Sequence, residues 1–173
     1  MNDHTQTSNT GQAVKLRPVS AVDESLLLEL YASTRAEEMA LVPWTSEQRE
    51  AFIRMQFAAQ QEHYRKLQPD ADHDIIMLKD RPVGRLYVAR TKESIEIMDI
   101  TLLPQERNSG TGSSLIKALM DEATRLRPLR IYVERFNTSL RLFERLGFRP
   151  IAEHGVHLLM EWVPDSPSSS SAA

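Results

Sequence analysis

The sequence predicts an α/β (α+β) domain: a mixed, mostly antiparallel central sheet of about seven strands flanked by about four helices. Three observations carry this. The first third of the chain, after a short alternating segment, repeats apolar residues at helical spacing. The middle, Asp74 to Leu103, holds three short apolar runs joined by turns of a few residues, a connection that pairs neighbouring strands antiparallel. After that, strand and helix patterns alternate, and the last two segments are strands again.

Taken in order, Val14-Lys15-Leu16-Arg17-Pro18 alternates apolar and polar residues and reads as a short strand stopped by proline. Asp23 suits an N-cap, and Leu27, Leu30, Tyr31 and Thr34 then share one helical stripe. Thr45 with Gln48 forms a capping-box signature. It opens a second helix of about 20 residues, with Phe52, Met55 and Ala59 on one face, Ile53, Phe57 and Tyr64 beside it, and Pro69 at its end. Strands follow over Asp74–Leu78, Val83–Ala89 and Ile95–Leu103, separated by turns at Lys79–Pro82 and Thr91–Glu93. The third of them is apolar on both faces apart from Glu96, Asp99 and Thr101, which places it centrally in the sheet. A helix starts near Ser113, with Leu115, Ile116, Leu119, Met120, Ala123 and Leu126 on its buried face and Pro128 closing it. Arg130–Val133 is a strand, and Thr138–Leu146 a short helix with Leu142, Phe143 and Leu146 inward. Gly147 sits at the C′ position, and Phe148–Ala152 and His157–Val163 complete the sheet.

Composition narrows the function. The 173 residues divide into a polar segment over 1–13 that reads as disordered, one domain over 14–164, and a Ser-rich tail over 165–173 that also reads as disordered. With no cysteine, disulfides, thiolate zinc sites and cysteine nucleophiles are excluded. A net charge of -3 argues against a nucleic-acid binder but leaves room for a local anion site. No apolar run approaches the ~20 residues of a membrane helix, and the N-terminal residues lack the pattern of a signal peptide. The expectation is a soluble cytoplasmic protein with no membrane partner, monomeric or homodimeric.

Chemistry concentrates in the loop after Pro104. Gly110 and Gly112 precede a helix start, where glycine permits positive φ and close ligand approach. The unpaired N–H groups of a first helical turn, reinforced by the helix dipole, bind phosphate. The same glycines equally suit a turn that only needs two flexible residues. A Walker loop is ruled out because Ser113-Ser114 stands where Lys-Ser/Thr is required. A dinucleotide fingerprint is weak because its third glycine position is Leu115.

Arg107-Asn108-Ser109-Gly110-Thr111-Gly112 fits the Gln/Arg-x-x-Gly-x-Gly/Ala loop, Asp99–Pro104 precedes it, and Asn137-Thr-Ser-Leu-Arg-Leu-Phe-Glu-Arg-Leu-Gly-Phe148 follows downstream. In these segments and in element order the chain resembles the GNAT superfamily of acetyl-CoA-dependent N-acetyltransferases. The resemblance implies acetyl-CoA as cosubstrate, bound by Leu102, Arg107, Asn108, Ser109, Gly110, Thr111, Gly112, Ser113, Asn137 and Phe143. Backbone N–H groups of Asn108–Ser113 would cradle the pyrophosphate, with hydroxyls from Thr111 and Ser113. Leu102 would offer backbone groups to the pantetheine arm and an N–H to the thioester oxygen. The fourth and fifth strands would splay, with Ile131–Glu134 as the opposite wall. Three positions depart from the family pattern: Asn108 for glycine, Ser139 for alanine, and Phe143 for a tyrosine that protonates the leaving thiolate. The implied activity is acetyl transfer to a small-molecule or peptide amine by direct attack in a ternary complex. Phe143 keeps open the alternative of a non-catalytic acyl-CoA-binding module acting through a protein partner.

Aligned on the glycine loop, Glu96 takes the place of the catalytic glutamate of some members, and burial in an apolar strand would raise its pKa toward a base's range. Asp99 is the second candidate and Glu134 the third. His154 and His157 are too few for a metal site and read as polar residues near a strand pair; no metal is expected. Trp44, Arg54 and Tyr64 lie in or near the second helix, a region that often lines the acceptor pocket in that superfamily, although Trp44 and Tyr64 equally suit core or staple positions.

Overall fold

A computed structural model describes residues 14–165. The segments read as disordered, 1–13 and 165–173, lie outside the described residues apart from Asp165. The elements are β1 Val14–Pro18, α1 Glu24–Ala40, α2 Ser46–Leu67, β2 Asp72–Leu78, β3 Arg81–Arg90, β4 Ile95–Leu102, α3 Thr111–Glu122, β5 Leu129–Glu134, α4 Leu140–Arg145, β6 Arg149–His154 and β7 His157–Trp162. Short 3-10 turns at Ala21–Asp23 and Pro104–Glu106 precede α1 and the glycine loop. The seven strands lie in the order β1-β2-β3-β4-β5-β7-β6, so β4 is central as its apolar pattern requires. Only β4 and β5 run parallel; the other neighbouring pairs are antiparallel.

The local chemistry of the turns explains the meander. Lys79 and Asp80 both take positive φ, 48° and 61°, the conformation of a two-residue hairpin that matches the strand twist. Pro82, expected in that turn, instead lies in β3 opposite Met77 at a register shift, where a missing N–H breaks no regular ladder. One sheet face packs on α1 and α2 through Leu27, Leu30, Ile75 and Leu103. The other face carries the larger core, where Ile76, Leu86 and Val88 meet Ile116 and Leu119 of α3 and Phe143 of α4.

Four further details differ from the sequence expectation. Asp23 stands at the N-cap of α1 but its side chain does not cap. Its carboxylate accepts the Ser20 N–H at 2.8 Å and both Arg17 guanidinium nitrogens at 2.6 and 2.8 Å, which holds its pKa well below the usual carboxylate range. On α1, Leu27, Leu30 and Tyr31 are buried while Thr34 is exposed. On α2 the inward residues are Ile53, Phe57, Gln60 and Tyr64, whereas Met55 and Ala59 face water. Helix α3 ends at Glu122, and Leu126 is 91% exposed. There the chain folds into a tight turn closed by Thr124 and Arg127, which exchange both backbone bonds. Pro128 bars helix before it and places its carbonyl on the Ile95 N–H at 2.9 Å, setting β5 beside β4.

Gly84 marks the closest approach of β3 to β4. A Cβ there would collide with the Thr101 carbonyl oxygen and lie 2.8 Å from Leu102 Cδ2. Gly84→Ala is expected to lower unfolding free energy by about 1–3 kcal/mol through overpacking, read as a shift of the urea midpoint.

Candidate active site

The site begins where the sheet parts. β4 and β5 pair only from Ile95 to Ile97, opposite Leu129 to Ile131. Beyond this both strands continue unpaired with one another, β4 to Leu102 and β5 to Glu134. A bulge at Met98 causes the divergence: Val88 pairs with Ile97 and Tyr87 with Asp99, leaving Met98 as the extra residue that bends β4. The splay expected between these strands is present, with Tyr132 to Glu134 on the far side.

Leu103 gives its N–H to Val83 on β3 at 2.9 Å. Backbone groups alternate along a strand, so those of Leu102 point the other way, into the gap. The Leu102 carbonyl accepts Arg107 Nε at 3.0 Å, and Arg107 Nη2 reaches Ser33 Oγ on α1 at 2.8 Å. The Arg107 side chain therefore braces the loop, while its backbone opens the glycine segment.

That segment has the shape of an anion cradle. Asn108 and Gly110 take positive φ, 59° and 86°, turning the chain into α3. The first backbone bond of the helix runs from the Ser114 N–H to the Gly110 carbonyl at 3.0 Å. The N–H groups of Thr111, Gly112 and Ser113 thus project from the helix end without intrahelical acceptors. A Cβ on Gly110 would meet nothing within 4 Å, and one on Gly112 only Leu102 Cδ1 at 3.9 Å, so the space before these N–H groups is open. A pyrophosphate fits this arrangement of donors, glycines and helix dipole. Thr111 is buried, its hydroxyl 3.0 Å from Ser109 Oγ, and Ser109 in turn bonds the Glu106 carbonyl at 2.7 Å. Ser113, half-buried, keeps its hydroxyl nearer the surface.

Asn137 lies in the loop between β5 and α4, its Oδ1 accepting the Ser139 N–H at 2.9 Å and so starting α4. Phe143 is 2% exposed and packs edge-on against Phe148 with ring centroids 5.3 Å apart. It is a core residue with no hydroxyl to give.

On the α2 side of the gap lies a cavity of about 420 Å³, lined by His63, Tyr64, Leu67, Glu96, Ile97, Met98, Tyr132, His154 and His157. Glu96 is half-buried and, among the described residues, has no hydrogen-bond or ion-pair partner. Burial raises its pKa, opposed only by the charge of Arg130. The Tyr64 hydroxyl donates to the Met98 carbonyl at 3.1 Å, tying α2 to the bulge, and its burial pushes its own pKa up. A larger groove of about 670 Å³ runs between α1 and α2 past Glu29, Ala32 and Ile53, but touches neither β4 nor the glycine loop.

The three carboxylate candidates have different environments. Asp99 is committed: it pairs with Arg85, itself 1% exposed, and accepts the Thr101 hydroxyl at 2.6 Å. Arg85 also donates to Gln60 of α2 at 2.7 Å. Close by, His73 stacks on Tyr87 with centroids 4.3 Å apart, and burial beside Arg85 lowers its pKa to about 4. Glu134 stands at the rim, 3.7 Å from His157 and 3.8 Å from Arg35. Glu96 is the one without a partner. Arg54 pairs with Glu50 at 2.7 Å on the surface, and Trp44 packs edge-on against Phe52 with ring centroids 5.1 Å apart. Sequence reasoning missed Arg85, Gln60 and His63, took Tyr132 only as part of the Ile131–Glu134 wall, and did not join His154 and His157 to α2. An arginine inside the apolar run Val83–Ala89 was the available signal for the first; nothing local linked the histidines. Among the described residues, no three His, Asp or Glu side chains converge as metal ligands. No described helix is long and apolar enough to cross a membrane.

Residues 36–164 match the family described as acetyltransferase (GNAT) domain. The chain belongs to the GNAT acetyltransferase family. No curated protein matches it. Among solved structures it is similar to the PaiA N-acetyltransferase of Thermoplasma acidophilum in complex with coenzyme A, at 20% identity and TM-score 0.61, over 86% of this chain and 98% of that one. It is also similar to the ribosomal-protein-S18-alanine N-acetyltransferase of Escherichia coli, at 16% identity and TM-score 0.57, over 93% and 99%. A third is a GNAT family acetyltransferase of Elizabethkingia anophelis with acetyl-CoA bound, at 16% identity and TM-score 0.54, over 87% and 98%. At these identities the solved structures speak to the fold.

Proposed function

We propose that the chain transfers the acetyl group of acetyl-CoA to an amine by direct attack in a ternary complex, with Glu96 as general base. The observation that carries this is the placement of two sites at opposite ends of one gap. The Thr111–Ser113 N–H groups lie at the phosphate end, and the unpartnered Glu96 faces a cavity at the other. Acetyl-CoA supplies the acyl thioester. The cradle would hold its pyrophosphate, Leu102 would flank the pantetheine arm, and the thioester would reach the Met98 bulge beside Glu96. Glu96 accepts the proton of the attacking nitrogen, directly or through one water. The N–C bond forms, the C–S bond breaks, and the thiolate departs without a proton from Phe143. Thiolates leave without strong acid assistance, so a phenylalanine there is compatible with turnover.

The experiment is thiol release from acetyl-CoA across an amine panel, with acetylated product identified by mass. Turnover is expected from the wild type, and Gly112→Trp is expected to lose acetyl-CoA binding by filling the cradle. Acetyl-CoA binding with no release for any amine would make the chain a binding module instead.

A further inference from the structure

The lining of the cavity beside Glu96 restricts the acceptor. At about 420 Å³ it sits at the small end of the range for ligand pockets. It presents one carboxylate and no lysine or arginine. The cations nearest it are engaged: Arg130 with Glu161 at 2.8 Å, Arg135 with Glu153 at 2.6 Å, Lys66 with Glu62 at 2.7 Å, Arg65 with the Gln61 carbonyl at 3.2 Å, and Arg35 at the rim with Glu38 at 3.2 Å and Glu134 at 3.8 Å; Arg149 lies at the far end of β6 from His154. A second carboxylate, Glu134, stands 3.7 Å from His157 at the rim. An acidic group on the acceptor would therefore enter a half-buried space beside Glu96 whose lining holds no lysine or arginine, with the nearest, Arg130, already paired to Glu161, which is costly. A protonated amine meets the opposite field and is drawn toward Glu96. The mouth is apolar and aromatic: Leu67 is 54% and Tyr132 47% exposed, leaving their surfaces free to cover a ligand body.

We propose that the acceptor is a small primary amine on an apolar or aromatic body, with no acidic group beside the nitrogen. This rests on the acetyl-transfer reading above. Histidines carry charge only when protonated, so the comparison belongs at pH 8, above the ordinary imidazole range.

The test compares phenethylamine, phenylalanine, phenylalaninamide and a Phe-Gly-Gly amide as acceptors for the full chain. Expected is a kcat/KM for phenethylamine about 100-fold above that for phenylalanine. Phenylalaninamide, equal in bulk but uncharged at the carboxyl end, should recover most of the difference. Leu67→Arg, which sets a cation at the mouth, should narrow the phenethylamine preference by more than tenfold. Equal kcat/KM for the amine and the amino acid, or a preference for the amino acid, overturns the proposal. A preference for the tripeptide amide over every small amine overturns its size limit. In parallel, binding of phenethylamine and phenylalanine is followed by the ring resonances of His63, His154 and His157. Only the amine should move them, and equal or absent shifts overturn the proposal. Absence of thiol release with every acceptor would defeat the acetyl-transfer reading, while the binding result still decides the acceptor class.

Discussion

Asp99→Leu is expected to cost about 3–5 kcal/mol of unfolding free energy, more than most single changes in this domain. Arg85 is 1% exposed, and among the described residues its guanidinium Nε and Nη1 have no hydrogen-bond partner. The Asp99 carboxylate is the only ion-pair partner of Arg85 among the described residues. Removing it leaves a buried positive charge with one bond, to Gln60. Pairing the change with Arg85→Met should return much of the loss, because a buried pair replaced together by apolar side chains is often neutral. Urea denaturation with an unchanged slope is the measurement. A loss below about 1 kcal/mol for Asp99→Leu would show the pair to be solvated and unimportant. The pair lies beside the Met98 bulge, where β4 parts from β5.

Glu96→Gln has the second large effect, and it falls on catalysis. The proposed base should contribute roughly 10²–10⁴-fold to kcat. Glutamine keeps the size and a hydrogen-bonding oxygen but cannot take the proton. The Kd for acetyl-CoA should not change, since the cradle lies at the other end of the gap. The pH dependence carries its own sign. Burial raises the Glu96 pKa, and a base works only when deprotonated, so wild-type kcat/KM should fall as pH drops through that raised pKa. The variant should lack this acidic limb. If rate and pH profile survive the substitution, the base is another group or water. The unfolding midpoint, measured alongside, separates a catalytic defect from a folding one.

Much of this was legible because it is local. The capping box at Thr45–Gln48, the prolines Pro18, Pro69 and Pro104 at element ends, and Gly110 before α3 each act within a few residues, and the structure places them as read; Gly112 falls inside α3, which starts two residues earlier than expected. The order of elements follows from the same signals. The inward face of α2 was harder to read because its middle is polar. Gln60 faces in, where it accepts a hydrogen bond from Arg85, 25 residues away. Leu126 failed for a related reason: its helical spacing is genuine, but Pro128 and the pairing of β5 with β4 require a turn instead. In the candidate site, the phosphate end lay in one continuous motif and could be found. The acceptor end joins α2, β4, β5 and the β6–β7 hairpin, so His63 and His154 line one cavity across a separation no sequence pattern encodes.

The most direct test of the gap as the place of acetyl transfer is a crystal structure of the chain with acetyl-CoA. It should show the pyrophosphate on the N–H groups of Thr111, Gly112 and Ser113, and the pantetheine arm between Leu102 and Val133. The thioester should end beside Met98, with the Glu96 carboxylate across the cavity on the acceptor side. Acetyl-CoA bound in the α1–α2 groove, or with its thioester outside the β4–β5 gap, would contradict the account.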